Sequence, residues 1–197
     1  MIMLFKKTSF GGAIQIMRKK GTLLSEIEDI LHLVNIMITW HGQTRLNEEF
    51  NKLFTSRTWQ SQVDSLLKTE SKLKRPGSKS IDYRHLTGKV DVEVEFGNVA
   101  SFYRDIFKFN MSKQARLIDV GIIISGNRKI ASAVGENVAS YERFKDEMSI
   151  SWKFNANADC PVLLYGLVPK SFPNRKNLID PNAAKLKKQL QAKRKSR

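Results

Sequence analysis

The chain has 197 residues, 41% of them hydrophobic, and its 34 Lys and Arg outnumber 19 Asp and Glu to give a formal net charge of +15. That length suits one domain with a real core, and the longest apolar runs fall far short of the ~20 residues of a membrane span. One cysteine, Cys160, excludes an internal disulfide and zinc-type spacing, and the lysine pair after "MIMLF" breaks any signal-peptide pattern, so a reducing, cytoplasmic setting is expected.

A short strand-like start leads to a predicted helix over Leu23–Ile38. Ser25 and Glu28 fit a capping box there, and Leu24, Ile27, Leu31 and Val34 recur at helical spacing. A second helix is predicted over Thr44–Trp59, with Leu46, Phe50, Leu53 and Phe54 inward. A basic link over Lys68–Ser80 turns at Pro76-Gly77. Two strands follow, "IDYRHL" and "KVDVEVEF", joined as a hairpin near Thr87-Gly88. "VASFYRDIFKFNMSKQA" reads as a helix and "LIDVGIIIS" as a strand covered on both faces. "VASYERFKDEM" starts another helix, and "CPVLLYGLV" is a further buried strand. The alternation predicts a single-domain α/β fold, a central mixed sheet flanked by helices, over residues 1–180. Residues 181–197 form a basic tail with Lys185, Lys187 and Lys188 among its cations and no acid. A polyanion, for which nucleic acid is the usual case, is the partner such a surface attracts, and the tail suits phosphate contacts; solubility alone is the plainer explanation.

The strand "VDVEVEFGN" sets apolar Val90, Val92, Val94 and Phe96 on one face and Asp91, Glu93 and Glu95 on the other. Asp82 lies on the preceding strand of the hairpin, within reach of the same space. Carboxylates crowded in this way relieve their repulsion by binding a hard cation such as Mg²⁺, and beside a basic surface that suggests phosphodiester hydrolysis. A solvated edge strand with its acids paired to Lys or Arg explains the pattern equally well.

The ordered blocks "LLSEIEDIL", "LNEEFNKLFTSRTW", "IDY", "VDVEVEFGN", "YRDIFKF", "IDVGIIIS", "SYE" and "CPVLLYGLVP" resemble the type II restriction endonucleases of the BglII and BstYI group, relatives of BamHI in the PD-(D/E)XK nuclease superfamily. The resemblance implies a restriction-endonuclease-like core, a Mg²⁺ held by Asp82, Glu93 and the carbonyl of Val94, and catalysis by Asp82, Glu93 and Glu95. Glu95 occupies a position that is lysine in most nucleases of this fold and glutamine in BglII and BstYI, and here it looks like BamHI. The hairpin is two residues longer than in BglII and BstYI, which makes Asp91 the alternative ligand, or a bystander at the strand's start. Glu48 and Glu49 are candidates for a second metal, or a solvated acidic turn. The family cuts palindromic duplex DNA as a homodimer, built in relatives largely on the helix from Phe102 to Phe109. A site with a GATC core is the first candidate. Asn98 stands where relatives read the outer base pair, though Gly-Asn is also an ordinary turn, and Asn137 and Ser140 match the loop that reaches the inner bases. His32 and His41 are expected to pack or face solvent, Trp40, Trp59 and Trp152 to anchor core or interface, and Gly11-Gly12 to be a turn. A structure-specific nuclease of the same fold and a non-enzymatic nucleic-acid-binding protein are the competing readings.

Overall fold

The computed structural model describes residues 3–34, 42–64, 80–135, 137–153 and 159–169. The elements run β1 (Met3–Phe10), α1 (Ala13–Arg18), α2 (Leu23–Leu33), α3 (Gly42–Thr55), β2 (Gln60–Asp64), β3 (Ser80–His85), β4 (Val90–Val94), α4 (Val99–Gln114), β5 (Val120–Gly126), α5 (Arg128–Val134), α6 (Tyr141–Lys153) and β6 (Val162–Pro169). The strands form one mixed sheet in the order β1-β6-β5-β4-β3-β2. β4, β5 and β6 run parallel, while β1, β3 and β2 pair antiparallel with their neighbours. None of the helices among the described residues is long and apolar enough to cross a membrane.

Side-chain parity divides the sheet's two faces. Val90, Val92, Val94 and Phe96 join Ile122, Ile124, Leu163 and Tyr165 beneath α1, α2 and α3, which contribute Met17, Ile27, Leu31, Phe50 and Phe54. The opposite face carries Ile81, Ile123, Val162 and Leu164 against Phe102, Phe109, Phe144 and Met148 of α4 and α6. Two glycines let those helices come close. A Cβ on Gly121 would lie 2.3 Å from the Phe109 ring, and one on Gly166 would lie 2.3 Å from Tyr141. Layers on both faces bury β5 throughout, as its continuous apolar run requires.

Several expectations change at element ends. The predicted capping box does not form: the helix starts at Leu23, so Ser25 already sits inside the first turn and donates to the Thr22 carbonyl at 2.8 Å. Glu28 instead receives Lys7 and the Tyr165 hydroxyl, at 2.8 and 3.0 Å. α3 stops at Thr55 rather than Trp59, closed by Arg57 donating to the Leu53 carbonyl at 2.7 Å, and Trp59 leads buried into β2. β2, "QSQVD", was not expected as a strand because its composition is polar; it belongs at the sheet's edge, where one side faces water. α6 begins at Tyr141, leaving Val138–Ser140 in the loop before it. Gly11 and Gly12 form the expected turn, with φ of 59° and 74°. His32 is exposed with its ring 5.0 Å from Phe5, and Trp152 packs on Phe10. His41, Trp40, most of the basic link and the tail, with Lys185, Lys187 and Lys188, lie outside the described residues.

Candidate active site

β4 is an interior strand, so its acids do not face solvent. They point into the layer beneath α4: Asp91, Glu93 and Glu95 are 0%, 4% and 7% exposed. Each meets a partner on a polar stripe of that helix. Glu95 neighbours Asp105, Glu93 binds Lys108, and Asp91 is joined through Arg84 to Ser112. The match is geometric. Two strand residues advance ~6.6 Å and one helical turn ~5.4 Å, so acids at every second position of β4 face residues spaced by about a turn on α4. Asp105, Lys108 and Ser112 are accordingly buried on the same face as Phe102 and Phe109.

Asp91 forms a closed unit apart from the others. Arg84 stands opposite it across the hairpin and grips both oxygens, at 2.6 and 2.7 Å, with Ser112 3.0 Å from the same guanidinium. The pair is almost wholly buried and fully hydrogen-bonded, which makes it an architectural ion pair.

Asp82 occupies a break in the sheet. The β3–β4 register ends at Tyr83–Val92, and beyond it the Asp82 carboxylate accepts the Val94 N–H at 2.9 Å. On the other side the β2–β3 pairing skips Gln62, whose φ of 52° turns its amide towards Asp82 at 3.3 Å. A left-handed non-glycine residue is costly, and it is held here beside a candidate catalytic group. The half-buried Asp82 is therefore oriented by both neighbouring strands.

Glu93 and Asp105 share the Lys108 ammonium, with Asp82 close to Glu93 and Glu95 close to Asp105. Lys108 Nζ lies 2.5 Å from Glu93 Oε1, 2.8 Å from Asp105 Oδ1 and 3.1 Å from the Ser80 carbonyl. Burial, then the charges of Asp105 and Asp82, push the Glu93 carboxyl well above its usual range, against the pull of Lys108. Burial and Asp105 push Glu95 up to about 8, while Asp105 itself is raised by burial. Glu95 folds back to accept the Gly97 N–H, and a Cβ at Gly97 would strike that carboxylate. A side chain there would displace the Glu95 carboxylate from this position.

The donor set suits a hard cation. All the candidate groups are oxygens, and both buried oxygens of Asp105 lack a well-formed hydrogen bond even with Lys108 alongside. Among the described residues no three His, Cys, Asp or Glu side chains converge as a complete metal cage. Mg²⁺ needs none, because it commonly takes one or two carboxylates and fills its octahedron with water and phosphate oxygens. Glu48 is exposed and Glu49 half-buried on α3, whose inner face packs on the other side of the sheet.

The strand exit and the loop before α6 lie together, since Ala139 N–H donates to the Gly97 carbonyl at 2.8 Å. Asn98 caps α4, accepting the Ser101 N–H at 3.1 Å. Its amide donors are not used by that cap. Ser140 Oγ accepts the Arg143 N–H at 3.3 Å at the start of α6. Asn137 is exposed in a groove shared with Arg128, Ser140 and Arg143. Asp105, Lys108, Arg128 and Arg143 were missed in the sequence. The first two had a readable signal, a D-x-x-K spacing on the face of a helix that also carries Phe102 and Phe109.

Glu95 predicts a pH dependence. A carboxyl raised from 4.5 to about 8 on folding favours the folded state fully below pH 4.5 and loses that contribution as pH rises to about 8. With metal chelated, the melting temperature should fall across this interval, and Glu95→Gln should flatten the fall. A melting temperature that is level or rising in the parent would contradict the buried acid cluster.

Two solved structures share the fold. That titled "Crystal structure of restriction endonuclease BGLII complexed with DNA 16-mer" matches with a TM-score of 0.69 at 16% identity, covering 87% of this chain and 80% of that one. That of free BglII gives 0.62 at 16% identity, covering 87% and 82%. No curated protein sequence matches. Residues 5–167 match the family model described as "Restriction endonuclease BglII/BglIII", and the chain therefore belongs to that family of restriction endonucleases.

Proposed function

We propose that this chain, a type II restriction endonuclease by its family, hydrolyses double-stranded DNA at a short palindromic site using Mg²⁺ held by Asp82, Glu93 and the Val94 carbonyl. The observation that carries the reading is the meeting of Asp82 and Glu93 at the opened β3–β4 ladder, with Glu95 and Asp105 behind them. A bound Mg²⁺ supplies a water of lowered pKa and offsets charge on the phosphate. The chain's own part is orientation and proton handling. Asp82 is fixed by the Val94 N–H and Gln62, and Glu93 is held by Lys108 before the cation binds. Glu95, pushed up to about 8 by burial and Asp105, is suited to take the proton from the attacking water. In-line attack then expels the 3′ oxygen and leaves a 5′ phosphate.

Asn98, Asn137 and Ser140 are the proposed base-facing residues, with Arg128 and Arg143 added for phosphate contact because they line the same groove. Asn98 keeps two donors while capping, which is what a bidentate contact to adenine needs in part. A GATC core is the first target to test. The tail cations Lys185, Lys187 and Lys188 are proposed to bind phosphates without reading sequence.

A two-fold DNA site calls for a two-fold protein. Tyr103, Phe107 and Ile150 are 46%, 62% and 58% exposed, and Tyr103 and Phe107 line a groove between α4 and α6 with Phe102, Met111 and Met148. We assign this apolar face to a second copy of the chain. Exposed apolar area of this kind marks an interaction surface.

Plasmid incubated with the protein and Mg²⁺ should give discrete fragments whose sequenced ends define one site. Glu93→Ala should abolish cutting and retain site-specific DNA binding, since the phosphate and base contacts survive. Smearing would favour a structure-specific nuclease, retardation without cutting a plain binding protein, and full cleavage by Glu93→Ala would sink the site. Sedimentation should find a dimer that Phe107→Glu converts to monomers with lost double-strand cleavage; a monomeric parent would remove the assigned interface.

A further inference from the structure

Lys108 has no part in the proposed chemistry beyond holding Glu93 before the cation binds. Its side chain is 8% exposed, and its ammonium donates to Glu93 and the Ser80 carbonyl and forms an ion pair with Asp105. Lysine is seldom buried, and then only where partners compensate its desolvation. It enters from α4, whose approach to the sheet is fixed by Phe109 lying over Gly121, so its reach to Glu93 is set by packing and not by a loose surface chain.

We propose that Lys108 is a built-in counter-ion that occupies Glu93 and Asp105 while the divalent cation is away, and that the cation takes Glu93 over from it. This rests on the reading of Asp82 and Glu93 as metal ligands. Glu93 lies between Ile123 on β5 and the β3 side, where Asp82 stands, and its carboxylate is turned to Lys108 at 2.5 Å. A divalent ion arriving at the same carboxylate meets the ammonium at short range, and the two repel. Lys108 retains Asp105 and the Ser80 carbonyl as partners, so it can release one acceptor without being stranded. Both oxygens of Asp105 still lack a well-formed hydrogen bond, so a carboxylate stands ready to take a larger share of the ammonium. The exchange keeps a positive charge beside Glu93 in both states. It also makes metal affinity a property tuned by Lys108, which acts as a positioning residue with no contact to substrate.

The test is Mg²⁺ titration by calorimetry of the full chain without DNA, paired with melting in chelator and in Mg²⁺. Lys108→Met should bind Mg²⁺ at least about ten-fold more tightly, because a like charge beside the ion is gone. It should melt lower than the parent in chelator and recover most of that loss when Mg²⁺ is added. Lys108→Arg, which keeps the charge, should bind Mg²⁺ as the parent does. If Lys108→Met is unfolded in chelator, folding on addition of Mg²⁺ supports the exchange. Failure to fold in either condition passes the decision to Lys108→Gln, for which tighter binding supports the exchange and unchanged or weaker binding overturns it. Weaker Mg²⁺ binding by Lys108→Met, with equal loss of stability in both conditions, would mark Lys108 as structural support alone and overturn the proposal. A parent that binds no Mg²⁺ would remove the metal reading of the site and the exchange with it, whereas unchanged affinity in Lys108→Met beside a binding parent defeats the exchange only.

Discussion

The architecture depends on the burial of carboxylates between β4 and α4. Three acids on consecutive outward positions of a strand would be tolerable in water, yet here they are 7% exposed or less. Taking a carboxylate out of water is costly unless it is paired, and pairing requires cations or donors arriving from the covering helix. α4 delivers them at the correct rise, with Lys108 over Glu93 and Ser112 behind the Arg84–Asp91 pair. At the third position it delivers another acid, Asp105, against Glu95. That choice raises the energy of the metal-free site. A fold selected only for stability would place an amide or a cation there.

The surplus of negative charge explains why the two ends of the strand behave differently. At the hairpin end Arg84 closes on Asp91 and leaves nothing for a ligand. Towards the strand's exit the ladder opens, Asp82 turns to the Val94 N–H, and the acids outnumber the two cations that reach them, Lys108 and Arg104. The same exit leads through Gly97 to Asn98, so acid cluster and candidate base-facing residues are a few residues apart on one chain segment, tied to the loop before α6 by the Gly97 carbonyl. On the proposed reading, chemistry and recognition are held in one frame, which is what cutting at a defined site demands.

Much of the scaffold was legible in the sequence. Alternation exposed β4, continuous apolar runs exposed β5 and β6, and helical periodicity exposed α2, α3 and α4, because in each case the spacing of apolar residues reports one buried face directly. The β4 acids were legible as a group for the same reason, and Asp82 joined them through the expected hairpin and the family resemblance. What failed was anything decided by a distant partner. The Ser25–Glu28 box lost to a helix start at Leu23 and to Lys7 and Tyr165, which claim Glu28. The polar edge strand β2 exists because β3 pairs with it, and its own residues give no signal. Asp105 and Lys108 escaped notice because amphipathic reading assigns charged residues to solvent, whereas these face a strand whose acids need them. Whether Asp91 was a ligand or a bystander turned on Arg84, a residue that only the hairpin register places opposite.

The central claim is that the opened end of the β3–β4 ladder is a divalent-cation site built from Asp82 and Glu93. Anomalous diffraction from crystals of the protein soaked in Mn²⁺ tests it most directly. The account predicts a peak in coordination distance of Asp82 and Glu93, with Lys108 Nζ drawn away from Glu93. A peak at Glu48 or Glu49 alone, at the Asp91 side of the strand, or none at these carboxylates in a well-occupied soak would contradict it.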